Sequence, residues 1–154
     1  MAGKLEKDGF HLSRTGRTLP ILLLRAREQV MERFRPMLAA HDVTEQQWRV
    51  MRVLMETEAM DASELAARAS VLAPSLSRIL KTLDQRGLIT TRKDEKDGRR
   101  TLVALTPEGS GFIKSVAPKS AAIYAEIEEL LGQDRIETLL DELEALIETL
   151  SKGR

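Results

Sequence analysis

The sequence predicts a mostly α-helical fold with one small β-hairpin, an α+β arrangement in a chain of 154 residues. Apolar residues recur at three- and four-residue spacing through most of the chain, which is typical of amphipathic helices. Residues 88–105 differ: two β-prone runs, LITTR and TLVAL, flank a charged loop that contains Asp97-Gly98, a hairpin signal. Two strands alone are marginally stable, so we expect this hairpin to pack against helices.

The first four helices are predicted from their capping residues. A first helix should begin at Leu19, after Thr18, and end before residue 41. Thr44 and Gln47 have the spacing of a capping box and start a second helix. A short third helix begins at Asp61, and a fourth runs from Pro74, as its first residue, to a stop at residues 86–87.

Two long helices are predicted after the hairpin. Thr106 and Pro107 suit the cap and first position of the fifth helix, which we expect Pro118 to break or kink near residue 117. Residues 132–134 precede the last helix. Its apolar residues, at positions 136, 139, 140, 143, 146, 147 and 150, form a stripe typical of a helix that needs a partner.

Several classes of protein are disfavoured by composition. The chain has no cysteine, which excludes disulfides and thiolate metal sites. No apolar run reaches the roughly 18 residues that a bilayer span needs, and the N-terminus lacks a signal-peptide core. We find no nucleophile–base pair, phosphate loop or metal-ligand cluster that would point to an enzyme. We therefore expect a cytoplasmic protein with no cofactor, no metal and no membrane partner.

Charge is distributed unevenly along a chain whose formal net charge is zero. Residues 65–105 hold nine Lys or Arg and four Asp or Glu, a net charge of +5. Residues 106–154 hold five basic and ten acidic side chains, a net charge of −5. The positive segment suits phosphate groups, although a solvated face without a partner is the alternative.

The predicted fourth helix has one apolar and one polar face. Its apolar positions 76, 79, 80 and 83 form a core stripe, which leaves a short, hydrogen-bonding and basic face exposed. Such a face suits base edges and phosphates in a major groove, although an ordinary amphipathic helix is the alternative. With the hairpin, the helices form a winged helix-turn-helix. The candidate DNA contacts on this helix are Ser75, Ser77, Arg78, Lys81 and Thr82.

The chain resembles the MarR family of dimeric winged helix-turn-helix regulators over roughly residues 19–150. The sharpest match is the hairpin, where Asp97-Gly98-Arg99 followed by Leu105-Thr106 fits the family pattern D-x-R…L-T. The RGLI run at residues 86–89 fits the join between recognition helix and wing. The TEQQWRV run at residues 44–50 and the LAPS run at residues 72–75 are similar to the homoprotocatechuate-degradation repressors of that family.

The resemblance implies a homodimer on double-stranded DNA, at a pseudopalindromic operator. It implies that Arg99 enters the minor groove and that Asp97 orients it. An exposed hairpin tip with a weak ion pair is the alternative. Further wing cations would contact phosphates without reading sequence, namely Arg92, Lys93, Lys96 and Arg100.

The resemblance also implies a small phenolic acid as effector. Trp48 could form a wall of its pocket, and Arg14, Arg17 or Arg49 could hold a carboxylate bidentately. A packed core position is the alternative for Trp48.

We interpret residues 1–154 as a single domain. Residues 44–106 would form the DNA-binding lobe, and residues 1–40 and 107–154 would supply dimerisation helices. The implied function is that of a repressor of an aromatic-acid catabolic operon, relieved by its ligand. The alternatives are a regulator of another phenolic-compound or stress-response operon, and a dimerisation module that does not bind DNA.

Overall fold

The computed structural model describes residues 15–153, which contain six α-helices and a three-stranded antiparallel sheet. The chain divides within its fifth helix into two compact units, one ending at Ile113 and the other beginning at Lys114. A 3₁₀ turn at Thr15–Arg17 precedes the first helix. The elements are α1 (Leu19–Ala40), α2 (Glu45–Leu54), β1 (Met60–Asp61), α3 (Ala62–Ala69), α4 (Ala73–Gln85), β2 (Ile89–Lys93), β3 (Thr101–Leu105), α5 (Pro107–Leu131) and α6 (Gln133–Lys152).

The caps predicted for α2 and α3 are present. Thr44 Oγ1 accepts a hydrogen bond from the Gln47 amide at 3.1 Å, and Gln47 Oε1 accepts one from the Thr44 amide at 3.1 Å. Asp61 Oδ2 accepts hydrogen bonds from the amides of Ser63 and Glu64. Both helices therefore begin where their side chains satisfy amides that lack helical partners.

The hairpin is part of a three-stranded sheet with the order β1-β3-β2. Strands β2 and β3 pair from Ile89 with Leu105 to Lys93 with Thr101, close to the predicted runs. The two-residue strand β1, which pairs Asp61 with Leu102, was not predicted, because two residues are too few to show an alternating pattern. It attaches the start of α3 directly to the wing.

The core of the first unit is formed by α2, α3, α4, the sheet and the start of α5. Short loops connect these helices and strands, and the apolar face of each element packs into one shared core. The buried side chains of this cluster are Val50, Met51, Leu54, Met60, Leu65, Ala66, Ala69, Leu76, Ile79, Leu83, Leu88, Ile89, Val103 and Ile113.

The first turn of α5 lies against the backbone just before β2. Thr106 Oγ1 donates to the Gly87 carbonyl at 2.6 Å and accepts from the Gly109 amide at 3.0 Å, so the predicted cap is present. The approach is close enough that a Cβ on Gly109 would lie 2.0 Å from the Leu88 carbonyl oxygen. Glycine at 109 is therefore required for this packing.

The structure differs from two expectations about proline: α5 is not broken at Pro118, and Pro74 is not the first residue of α4. Helix α5 runs unbroken past Pro118, because a proline removes one backbone hydrogen bond and the other bonds of this 25-residue helix remain. Pro74 is the second residue of α4, whose first residue is Ala73. Proline is compatible with either position, because neither amide has a helical acceptor.

The second unit contains the end of α5 and the whole of α6. No residue of α6 is buried, and its large apolar side chains include Leu139 and Leu140, each 47% exposed, and Ile147, 64% exposed. The predicted apolar stripe is thus left uncovered by the residues that the structure describes. Among the described residues, no helix combines the length and the apolar character that crossing a bilayer requires.

Candidate nucleic-acid interface

Helix α4 is fixed in the lobe by its apolar stripe. Leu76, Ile79 and Leu83 are buried, and Leu83 is fully enclosed. The helix ends at Gln85, Arg86 is its C-cap, and Gly87 adopts a positive φ of 72° that turns the chain towards β2. The Arg86 guanidinium donates to the Asp42 carbonyl at 2.6 Å, which ties the end of α4 to the α1–α2 loop. These contacts fix the orientation of its polar face.

The polar face of α4 is open to solvent, as predicted. Ser77, Arg78, Lys81 and Thr82 are exposed, and Ser75 is half-buried. Ser77 and Thr82 each donate a hydrogen bond to the carbonyl four residues earlier, which leaves their oxygens as acceptors towards solvent. Within residues 15–153, neither cation of this face has an ion-pair partner. The face therefore presents two cations and two hydroxyl groups.

The wing presents Arg99 at its tip, beside Asp97. The Arg99 side chain is 93% exposed, and its Nε lies 3.3 Å from Asp97 Oδ1. The same carboxylate oxygen accepts the Arg99 amide at 3.0 Å. Asp97 thus forms a turn with the backbone of Arg99 and also contacts its guanidinium, the residue that the family resemblance pairs with it.

The other wing cations fall into two groups. Arg92, Lys93 and Lys96 are exposed and have no ion-pair partner in the described part of the chain. Arg100 differs, because its guanidinium lies 3.4 Å from Asp61 Oδ1 and 3.3 Å from Asp94 Oδ2. The sequence did not predict these two pairs, and they separate Arg100 from the free cations of the wing.

The candidate ligand residues are not gathered into one described cavity. Trp48 is partly buried and packs against the lobe core, which fits the structural alternative. Arg49 donates to the carbonyls of Ala69 and Ser70 at 2.9 and 3.4 Å, where they end α3. Arg17 lies exposed in the 3₁₀ turn, and Arg14 lies outside the described residues.

A cleft of about 380 Å³ opens beside the end of α4. It includes Thr82, one of the predicted DNA contacts, and it contains neither Trp48 nor Arg49. The lining is mixed polar and apolar, and it is formed by Ala39, Asp42, Val43, Thr44, Gln47, Thr82 and Arg86.

An ion-pair network that the sequence did not reveal joins α1 to α2. Arg35 donates to both oxygens of Glu28 and to Glu45, and Glu45 also accepts from Arg27 at 2.6 Å. The hydrogen bond from Arg35 lowers the pKa of Glu28, and the bond from Arg27, with that from Arg35, lowers the pKa of Glu45. The two carboxylates raise the pKa of Arg35 in turn. The pairs span 7 to 18 residues of sequence, so no local pattern marks them.

The lobe is a winged helix-turn-helix, with α3 and α4 as the helix pair and β2–β3 as the wing. A sequence profile of the MarR family matches residues 41–100, which include α2, α3, α4 and β2 of this lobe. The homoprotocatechuate degradative operon repressor of Escherichia coli is 38% identical over 130 residues, which cover 84% of this chain and 88% of the repressor. The chain therefore belongs to the MarR family of transcriptional regulators.

Solved structures of regulators share the same fold. NadR, in a crystal structure with 4-hydroxyphenylacetate, is 34% identical and superposes with a TM-score of 0.81 over 89% of this chain and 100% of NadR. The transcriptional repressor CouR, bound to a 23-mer DNA duplex, is 25% identical with a TM-score of 0.80 over 90% of this chain and 98% of CouR. These similarities confirm the winged helix fold and the resemblance to homoprotocatechuate repressors.

Proposed function

We propose that this protein is a homodimeric repressor that binds an operator through α4 and the wing and releases it when a small phenolic acid binds. The observation that carries the proposal is the exposed face of α4, with Arg78 and Lys81 unpaired among the described residues, in the same lobe as the exposed Arg99. Cations without internal partners can exchange counterions for DNA phosphates. We also propose a cytoplasmic location and a regulatory role without catalysis, as for a relative named as an operon repressor.

Each element of the lobe has a specific role on DNA. The face of α4 enters the major groove, where Arg78 reads guanine or contacts phosphate and the hydroxyls of Ser75, Ser77 and Thr82 meet polar edges. Arg99 enters the adjacent minor groove, whose negative potential attracts a guanidinium. Arg92, Lys93 and Lys96 contact phosphates.

Dimerisation places two such lobes on one operator. The uncovered stripe of α6 supports this proposal, because large apolar side chains on a helix with no buried residue gain stability when a second copy covers them. Helices α1, α5 and α6 form the dimer, within a single domain in which residues 44–106 contact DNA. The two recognition helices would then lie roughly 34–36 Å apart, one turn of DNA.

The effector is proposed from the relatives. The E. coli relative is named for homoprotocatechuate degradation, and NadR was crystallised with 4-hydroxyphenylacetate. A phenolic acid that binds one spacing of the lobes better than the DNA-bound spacing weakens operator binding. By linkage, operator DNA weakens effector binding by the same factor.

The test has two stages. Fluorescence anisotropy should first show that the protein binds a labelled duplex from its own upstream region more tightly than a scrambled duplex of the same length and composition. Equal affinity for the two duplexes would contradict sequence-specific binding.

The second stage adds ligand to the bound complex. 4-Hydroxyphenylacetate and 3,4-dihydroxyphenylacetate should release the duplex, whereas phenylacetate, which lacks the phenol group, serves as the matched control. Retention of the duplex with both phenolic acids at roughly millimolar concentration, about the weakest useful affinity, would exclude this effector class. The DNA-binding proposal would stand without it.

A further inference from the structure

Arg100 lies at the base of the wing between two carboxylates. Its Nε is 3.4 Å from Asp61 Oδ1, and its Nη1 is 3.3 Å from Asp94 Oδ2. The two carboxylates are 18% and 16% exposed, whereas the Arg100 side chain is 51% exposed. One cation between two carboxylates gives this cluster a net charge of −1. Because two carboxylates already hold the Arg100 guanidinium, the phosphate contact expected for this residue is disfavoured.

Asp61 connects three parts of the lobe. Its Oδ2 accepts the amides of Ser63 and Glu64 and thereby caps α3, while its Oδ1 faces Arg100. Its backbone belongs to β1 and pairs with Leu102 of β3. A change in the position of Arg100 therefore alters the contacts of Asp61 at the start of α3, the first helix of the helix-turn-helix.

Asp94 connects the two strands of the wing where they diverge. Its amide donates to the Arg100 carbonyl at 3.0 Å, and its Oδ2 pairs with the Arg100 guanidinium. Its Oδ1 accepts the Lys96 amide at 3.0 Å, which shapes the start of the loop. The Arg100 amide in turn donates to the Asp97 carbonyl at 3.0 Å. Asp94 and Arg100 thus close the loop that carries Arg99.

We propose that Arg100, Asp61 and Asp94 form a clamp that fixes the direction of the wing relative to α3, so that Arg99 points at the minor groove. Arg100 is a positioning residue in this proposal, which rests on the proposed DNA-binding function. The two neighbouring arginines have different roles. The Arg99 side chain is 93% exposed and can contact DNA, whereas the Arg100 side chain is held at the protein surface by its ion pairs.

The direction in which one substitution changes operator affinity distinguishes a clamp from a phosphate contact. Asp94→Asn keeps the size of the side chain and an oxygen for the Lys96 amide, but it removes the charge that holds Arg100. If Arg100 contacts phosphate, loss of a nearby negative charge frees it and tightens operator binding. If Arg100 is a clamp, the same change weakens binding by about two- to fivefold, the scale of an exposed ion pair.

The matched control is Glu95→Gln, at the exposed residue next in sequence, which has no ion pair within the described chain. It removes the same charge from the same loop and should leave operator affinity unchanged or slightly raised. Asp61→Asn provides a second variant, since asparagine also caps helices well, and it should weaken binding as Asp94→Asn does. Circular dichroism and thermal unfolding identify any variant whose fold is altered.

A double-mutant cycle provides an independent measurement. In the clamp, Arg99→Ala should cost less affinity in an Arg100→Ala background than in the wild type, because a misdirected Arg99 has already lost part of its contact. If the fold-changes of Arg99→Ala and Arg100→Ala simply multiply in the double variant, the clamp is overturned. Tighter operator binding by both Asp94→Asn and Glu95→Gln would overturn it as well. Failure of the wild-type protein to bind its operator would instead overturn the proposed function.

Discussion

Helices α4 and α6 are both amphipathic, but the apolar face of α4 is buried and that of α6 is exposed. Helix α4 buries Leu76, Ile79 and Leu83 within its own lobe, and no large apolar side chain of this helix is exposed. Helix α6 buries no residue and leaves Leu139 and Leu140 half exposed. The same periodicity therefore marks a completed core in one case and an apolar face left exposed by the described residues in the other. Sequence pattern identifies an apolar face, and only the fold shows whether the chain itself covers it.

The largest effect is expected from a charge in the α6 stripe. Leu139→Glu should convert the dimer to monomers at concentrations where the wild type is dimeric, because an unpaired carboxylate would have to be buried in the interface. Analytical ultracentrifugation measures the change. Glu144→Gln, at an exposed acid of the same helix, is the control and should remain dimeric. A stable Leu139→Glu monomer with full operator affinity would refute the dimer proposal.

A smaller effect is expected from a cavity under α4. Leu83→Ala should lower the free energy of unfolding by about 2–5 kcal/mol, because Leu83 is fully buried and the space it leaves cannot be refilled. Urea unfolding measures this, and the loss should be the same at every protein concentration, since the residue lies inside one lobe. A loss that grows on dilution would place Leu83 in the interface instead and would remove the contrast between the two helices.

Arg99→Ala tests the exposed wing. We expect a loss of about 1–3 kcal/mol in operator binding and a salt dependence shallower by about one counterion, with folding unchanged. Fluorescence anisotropy over a range of salt concentrations provides both values. Lys114→Ala, at an exposed cation of α5, is the matched control. Equal behaviour of the two variants would show that the wing takes no part in binding.

The smallest effect concerns the ion-pair network between α1 and α2. The pKa of Glu45 is lowered in the folded protein, so its stabilisation is present above the ordinary value of 4.5 and is lost as the pH falls through the lowered pKa. Glu45→Gln should therefore cost under about 1 kcal/mol near neutral pH and progressively less towards about pH 3. Urea unfolding across this range measures the difference. The control is Glu58→Gln, at a residue without an ion pair in the described chain, and it should lower the free energy of unfolding little at any pH. A loss of stability for Glu45→Gln that does not depend on pH would argue against the network.

The features that the sequence predicted are those set by near neighbours. The capping box of Thr44, the cap of Asp61 and the turn at Gly87 each involve residues within a few positions of one another. Local hydrogen bonding and φ preference are enough to specify them.

The features that were missed depend on contacts between distant parts of the chain. Strand β1 exists because β3 offers it a partner some 40 residues away, and the Arg100 pair with Asp61 spans 39 residues. Arg49 reaches carbonyls 20 and 21 residues later. The break considered at Pro118 is absent because the other hydrogen bonds of a 25-residue helix outweigh the one that proline removes.

Two glycines near the start of α5 should have different evolutionary histories. A side chain at Gly109 would collide with the Leu88 carbonyl, whereas nothing lies within 4 Å of a Cβ at Gly111. Position 111 can therefore change to alanine, a better helix former. Position 109 cannot change unless the first turn of α5 moves away from the backbone of Leu88, just before β2. In a library of random variants, survivors should be rich in replacements at 111 and almost free of them at 109.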